Sequence, residues 1–294
     1  MTDKRVLTIQ DISCFGQCSL TVALPIISAC GIETAVIPSA VLSTHTSGFT
    51  GFTCRDLAED IPKIRDHWKE VGIKFDAVYT GYLGTSEMIS DVISIMDELG
   101  AEGSKNIVDP AMADEGVLYP AFDMAYVEEM KKLCAKADII LPNITEACML
   151  TGMEYRTEYD EAYIDELLAK LSALGADTVI LTGVGYKPGR TGVVVFEDGK
   201  KSYYEHHRIE RGCHGTGDVY ASTFVGALIN GKDAFTAAKI AADYTVRCIE
   251  LTKGDTEHWY GVKFEKAMPE LISAIHAESL FFNFSEPHLN ISEV

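Results

Sequence analysis

Residues 210–222 read ERGCHGTGDVYAS. Glycines at 212, 215 and 217 surround Thr216, Asp218 follows at once, and Cys213 and His214 stand just upstream. Glycine tolerates positive φ and lets the backbone come close to a ligand. Where such a run opens a helix, unpaired N–H groups and the positive dipole end suit a phosphate or a developing negative charge. Asp218 would then be a base beside a phosphate nest. An ordinary helix start accounts for the same residues, because carboxylates favour that end of a helix. Both readings stand on these residues alone. A zinc site on Cys213 and His214 is disfavoured, since adjacent residues seldom ligate one zinc and no second pair stands at finger-like spacing.

Three other stretches bear on the choice. In IVDPAMADEGVLYP an apolar run ends at Asp109, and Asp114 and Glu115 follow. Carboxylates near a phosphate site act through Mg²⁺, which keeps its waters and takes few protein ligands; the same acidic residues also suit a solvated loop. In ILPNITEACMLTG, Thr145 is expected to cap a short helix with Glu146 in its first turn. Asn143 and Glu146 would also lie beside Asp109 if their strands are neighbours. VLSTHTSGFTGF is a Gly/Thr-rich loop in which His45 is expected to be structural, and His206 and His207 are expected to be surface or packing residues.

Short apolar runs alternating with helical periodicity must position these groups. RVLTIQ precedes a helix with Leu20, Ala23, Leu24 and Ile27 on one face. TAVIPSAVL and DAVYTGYLG read as strands, followed by a helix from about Glu87 to Leu99 and the strand NIVDP. Val127, Met130 and Cys134 mark a helix before DIILPN, and Ile164, Leu167, Leu168 and Leu171 mark one before DTVILTG. GVVVFEDGKKSYYEH reads as a hairpin turning at Asp198-Gly199. Helices over roughly 217–230, 233–252 and 263–277 follow. This alternation predicts an α/β fold, one domain over 1–294, with a mainly parallel sheet between two helix layers and an added hairpin. Ligands of such sheets bind outside the carboxyl ends of the strands. Gln10-Asp11, Gly81-Tyr82, Asp109-Pro110, Pro142-Asn143 and Thr182-Gly183 should all gather there, in one crevice.

The 294 residues carry a formal net charge of −19, which argues against nucleic-acid backbones as partners. No stretch approaches the ~20 apolar residues of a membrane helix, and no signal-peptide pattern opens the chain. A soluble, cytoplasmic protein is expected. The eight cysteines are scattered and expected to be reduced. The triplets at Asn143, Asn283 and Asn290 then carry no glycans. Phe281, Phe282 and Phe284 of the 278–294 tail are expected to pack on the domain or on a partner subunit.

QDISCFGQ, THTSGFTG, TGYLG, VDPAMADEGVLY, DIILPNITEACMLTG and GCHGTGD occur in that order. With them the chain resembles the pyridoxal (vitamin B6) kinases of the ribokinase superfamily, from about residue 5 to 252. The resemblance implies a three-layer α/β/α ribokinase-like fold, a homodimer, and transfer of the ATP γ-phosphoryl to the 5′-hydroxymethyl of pyridoxal, pyridoxine or pyridoxamine. It makes Asp218 the base and Gly215, Thr216 and Gly217 the anion hole. It puts Asp109, Tyr119, Asn143, Glu146 and Thr182 around ATP, with Asp109 and Glu146 near Mg²⁺, largely through water. It puts Asp11, Thr46 and Tyr82 around the acceptor ring, with Asp218 at its hydroxyl. Asp11 replaces a serine common in the family, Gln17 a histidine of some members, and Leu141 a threonine, which bears on a monovalent cation. The CHGTG run is similar to that of kinases acting on B6 vitamers and on hydroxymethylpyrimidine. That leaves a hydroxymethylpyrimidine kinase as the alternative enzyme, and a non-catalytic vitamer-binding protein as the alternative from another class.

Overall fold

The computed structural model describes residues 3–209 and 213–277; Gly212 and the 278–294 tail lie outside the described residues. The chain opens with β1 (Arg5–Ser13), α1 (Leu20–Ala29), β2 (Glu33–Leu42) and a short edge strand β3 (Cys54–Asp56). Next come α2 (Ile61–Glu70), β4 (Phe75–Thr80), α3 (Ser86–Leu99) and β5 (Gly100–Val108). A small hairpin, β6 (Ala113–Asp114) and β7 (Val117–Leu118), precedes α4 (Met124–Cys134), β8 (Ile139–Ile140), α5 (Ile144–Thr151) and α6 (Glu161–Ser172). The chain continues through β9 (Thr178–Thr182), β10 (Arg190–Glu197), β11 (Lys200–His207), α7 (Thr216–Ile229), α8 (Ala234–Thr252) and α9 (Phe264–His276).

The main sheet has nine strands in the order β11-β10-β9-β8-β5-β4-β1-β2-β3. The strands from β9 to β2 are parallel, β3 and β10 run against them, and β11 pairs antiparallel with β10. Crossover helices cover both faces, so the strands carry continuous apolar runs. Leu7, Ile9, Val78 and Val108 pack toward α2–α6; Val6, Ala77, Tyr79 and Ile107 pack toward α1 and α7–α9. The α/β/α expectation is met.

The β10–β11 hairpin turns at Asp198 (φ 52°) and Gly199 (φ 71°), as its Asp-Gly pair predicts. In α1, Leu20, Ala23 and Ile27 are buried, but Leu24 is 40% exposed. The buried stripe turns toward Val22 and Ile26 instead. None of the eight cysteines is in a disulfide. Among the described residues no helix is long and apolar enough to cross a membrane.

Candidate active site

β9, β8, β5, β4 and β1 are consecutive in the sheet and share one direction. Their carboxyl ends therefore bring Thr182, Asn143, Asp109, Tyr82 and Asp11 to a single edge, as the alternation of elements predicts. Helix α7 starts at the same edge with Gly215 as its N-cap, at φ 75° and ψ 4°. A Cβ at Gly215 would fall 1.8 Å from the Gln17 carbonyl oxygen, so only glycine fits. No side chain caps this helix. Its first helical hydrogen bond is from Val219 N–H to Gly215 O, which leaves the amides of Thr216, Gly217 and Asp218 without helical partners. Gly217 is exposed, and a Cβ there would meet nothing within 4 Å. The helix start thus presents free N–H groups to open space, an arrangement that suits an anion.

Asp218 sits in the first turn, and burial pushes its carboxyl up to about 7. The Ser19 backbone N–H opposes the rise and the Asp11 charge adds to it. Asp109 is also raised, by burial first and then by the Asp218 charge. Glu146 is raised by burial and the Asp109 charge, against the pull of backbone N–H donors. These carboxylates thus share one pocket of unfavourable negative charge.

Glu146 Oε1 accepts Met112 N–H at 3.2 Å and Oε2 accepts Asn143 N–H at 2.9 Å. Asn143 Oδ1 accepts Glu146 N–H in return, completing a capping box at the start of α5. The cap is Asn143, not Thr145 as expected. Thr145 lies inside the helix, where its hydroxyl accepts Gly116 N–H at 3.0 Å from the β6–β7 turn. That turn is a tight reversal through Glu115 (φ 48°) and Gly116 (φ 82°), and it leaves Asp114 and Glu115 exposed. Asn143 Nδ2 ties α5 to the same hairpin through Ala113 O at 2.9 Å. Tyr119 follows β7, and its hydroxyl feels the charges of Glu146, Asp114, Asp109 and Asp218 in addition to burial, which raises it most. Thr182 ends β9 with its N–H on Pro142 O at 3.0 Å.

On the other side of Asp218, Tyr82 is half-buried against Phe122, with ring centroids 5.2 Å apart. Burial, and then the Asp11 charge, pushes it up to about 12. Thr46 is exposed on the loop after β2. His45 in that loop has both ring nitrogens engaged. Its Nε2 lies 2.8 Å from Tyr260 O, and its Nδ1 accepts Ser47 N–H at 3.2 Å. The His214 ring lies 5.5 Å from that of His45, and burial lowers its pKa. Gln17 is drawn away to α9: its amide donates to Glu265 at 2.8 Å, and its oxygen lies 2.9 Å from His258 Nε2. Leu141 is buried in the core.

Among the described residues no group of three or more His, Cys, Asp or Glu side chains converges as a ready-made metal centre. A cation that keeps its waters and binds phosphate oxygens needs no such cluster. Asp109 fits it by charge, and Glu146 fits a water-mediated place because both its oxygens already accept N–H bonds.

A family model described as phosphomethylpyrimidine kinase matches residues 24–262. The chain belongs to this family. Among its relatives, the hydroxymethylpyrimidine/phosphomethylpyrimidine kinase of Bacillus subtilis (strain 168) is 27% identical over 252 residues, covering 85% of this chain and 83% of that one. The pyridoxal kinase of Bos taurus is 26% identical over 296 residues, covering 91% and 92%. A Bacteroides thetaiotaomicron VPI-5482 protein assigned to the phosphomethylpyrimidine kinases, in a crystal form with pyridoxal, superposes with a TM-score of 0.87 at 34% identity, covering 92% and 96%. The pyridoxal kinase of Lactobacillus plantarum superposes with a TM-score of 0.86 at 28% identity, covering 93% and 98%. The relatives of this chain thus include both phosphomethylpyrimidine and pyridoxal kinases, and phosphoryl transfer is the chemistry those names share.

Ser19 is not a candidate on sequence grounds, although it stands at the N-cap position of α1 and turns its N–H to Asp218. A serine directly before an apolar helical stripe was the available signal. Tyr159 was also missed: its hydroxyl accepts Gly185 N–H at 3.0 Å and donates to Gly183 O at 3.4 Å, holding the loop beyond Thr182. No local pattern marks that contact.

Proposed function

We propose that this chain is an ATP-dependent kinase that phosphorylates the hydroxymethyl group of a B6 vitamer: pyridoxal, pyridoxine or pyridoxamine. The observation that carries the reading is Asp218 in the first turn of α7, beside N–H groups with no helical partners and with its carboxyl pushed up to about 7. A base with that pKa takes a hydroxyl proton near neutral pH, as the alcohol oxygen becomes an ester oxygen. The amides of Thr216 and Gly217 and the left-handed Gly215 present fixed dipoles to the transferring phosphoryl, where they need no reorganisation. Phosphoryl transfer depends on this positioning and charge neutralisation more than on covalent chemistry.

ATP would lie along the ends of β5, β8 and β9, near Asp109, Asn143, Glu146 and Thr182, with Tyr119 covering it. Mg²⁺ held by Asp109, and by Glu146 through water, would neutralise phosphate charge. The acceptor ring would lie between Tyr82 and the loop carrying Thr46, its hydroxyl toward Asp218. The proposal includes a homodimer. The exposed edge strand β3 and its neighbour Phe52, 39% exposed, leave such a surface available, and light scattering on purified protein checks it.

Hydroxymethylpyrimidine is the second acceptor to consider, supported by the family match and the Bacillus subtilis relative. ADP release measured with each vitamer and with hydroxymethylpyrimidine tests the reading. Turnover fastest with a B6 vitamer supports it. Turnover with hydroxymethylpyrimidine alone moves the chain to the alternative, and no turnover with any of them contradicts both.

A further inference from the structure

Asp11 lies where β1 and β2 lose register, with Gln10 opposite Pro38 but Ile12 opposite Val41. It is 5% exposed, and its oxygens are taken by two serines. Ser19 Oγ donates to Oδ1 at 2.5 Å and Ser13 Oγ donates to Oδ2 at 3.0 Å. Ser19 has an unusual backbone, at φ 55° and ψ −133°. A non-glycine residue holds that conformation only when its surroundings over-determine it. The surroundings are visible. Ser19 O accepts the N–H groups of Val22 and Ala23 at the start of α1, and its hydroxyl is anchored on Asp11.

The anchored loop abuts the start of α7. The Gln17 carbonyl and the Cys18 thiol are the groups that a Cβ on Gly215 would strike, at 1.8 and 3.4 Å. The Ser19 N–H faces the Asp218 carboxylate. Ser19, at a positive φ, therefore links the two carboxylates, its hydroxyl to Asp11 and its N–H to Asp218.

We propose that Asp11 is a positioning residue for the reaction: through the Ser19 hydroxyl it holds Ser19 in its left-handed conformation, so that the Ser19 N–H orients the carboxylate of Asp218. The inference rests on Asp218 being the base, and it replaces the expectation that Asp11 meets the acceptor ring. It also accounts for an aspartate at this position. An anionic acceptor binds the Ser19 hydroxyl more strongly than a neutral one would.

The test is steady-state kinetics on the full chain with ATP and the best B6 vitamer, for wild type, Asp11→Ala, Asp11→Asn and Asp11→Ala/Ser19→Gly. Misdirecting a catalytic group costs about 10- to 100-fold in turnover. Asp11→Ala should therefore lower kcat by that factor and leave the vitamer KM within about threefold. Asp11→Asn keeps an acceptor oxygen and should lose less. Glycine adopts the Ser19 conformation without a hydroxyl anchor, so the double variant should regain at least about tenfold of the kcat lost.

A rise in vitamer KM with kcat retained would overturn the inference and put Asp11 on the ring. A loss of kcat that Ser19→Gly fails to relieve would overturn it as well. Absence of turnover in wild type would instead contradict the kinase reading. The tie is also read without substrate, from thermal unfolding of wild type, Asp11→Ala, Ser19→Gly and the double variant: Ser19→Gly should be stabilising only in the Asp11→Ala background. Additive shifts would overturn the inference independently of activity.

Discussion

Asn143 and Glu146 hold each other: Asn143 Oδ1 accepts the Glu146 N–H at 2.9 Å, and Glu146 Oε2 accepts the Asn143 N–H at 2.9 Å. The pair starts α5, and it also fixes a carboxylate beside Asp109 at the ends of β5 and β8. Asn143→Ala removes both the cap and the bond to Ala113 O, so it should cost about 1–2 kcal/mol of stability. The same variant should lower activity, because the hairpin carrying Tyr119 loses a tether. Chemical denaturation and ADP release on one preparation check the two effects together.

The two glycines of the proposed anion hole should respond differently. Gly215→Ala drives a Cβ into the Gln17 carbonyl at a left-handed φ, so it should destabilise the fold by more than about 1 kcal/mol and abolish turnover. Gly217→Ala meets no protein atom within 4 Å, so the melting temperature should stay near wild type. Its methyl projects into the space assigned to phosphate, and the kinetics should suffer while the fold does not. Equal losses of stability in both variants would contradict this assignment.

Asp218 carries a pH signature. Its folded-state pKa, about 7, lies above the ~4 of an unfolded aspartate. The folded state therefore binds the extra proton between those values, and stability falls as pH rises from about 4 to 7. Asp218→Asn has no charge to bury, so it should be more stable than wild type at pH 8 by on the order of 1–3 kcal/mol and nearly equal to it at pH 4. Melting curves across that range check the sign. A variant less stable than wild type at pH 8 would show that Asp218 is not held against its charge.

Tyr159 bridges Gly183 O and Gly185 N–H, in the loop that follows Thr182. Tyr159→Phe should raise the KM for ATP several-fold and leave the KM for the vitamer unchanged. Loss of one hydrogen bond of this kind costs about 1 kcal/mol, enough for such a shift. Initial-rate measurements varying each substrate separately distinguish the two.

Much of this was legible in the residues themselves. The strands whose ends form the site are apolar runs between helical patterns, and the polar residues closing each run are those the structure gathers. Even β8, only Ile139–Ile140, was visible in DIILPN. The edge strand β3 and helix α2 were not. All three residues of β3 are exposed, so it carries no apolar run; α2 does carry a stripe of Ile61, Ile64 and Trp68, but it is short and set among charged residues. The β6–β7 hairpin was hidden for a related reason: two-residue strands are too short for period-two alternation, and its Asp-Glu-Gly turn also reads as a solvated loop. Asn143 and Thr145 are both good caps by type, and tertiary contacts decide between them. Gly212 and the 278–294 tail lie outside the described residues. The tie from Asp11 through Ser19 to Asp218 joins residues brought together only by folding, which no local pattern can announce.

The central claim is that Asp218, at the open start of α7, is the base that moves a phosphoryl group to a B6 vitamer. ADP release from ATP with pyridoxal, comparing wild type and Asp218→Asn at neutral pH, tests it most directly. The account predicts vitamer-dependent ADP release by wild type and a fall of about 10²- to 10⁴-fold in the folded variant. Near-normal turnover by Asp218→Asn, or no vitamer-dependent release by wild type, would contradict it.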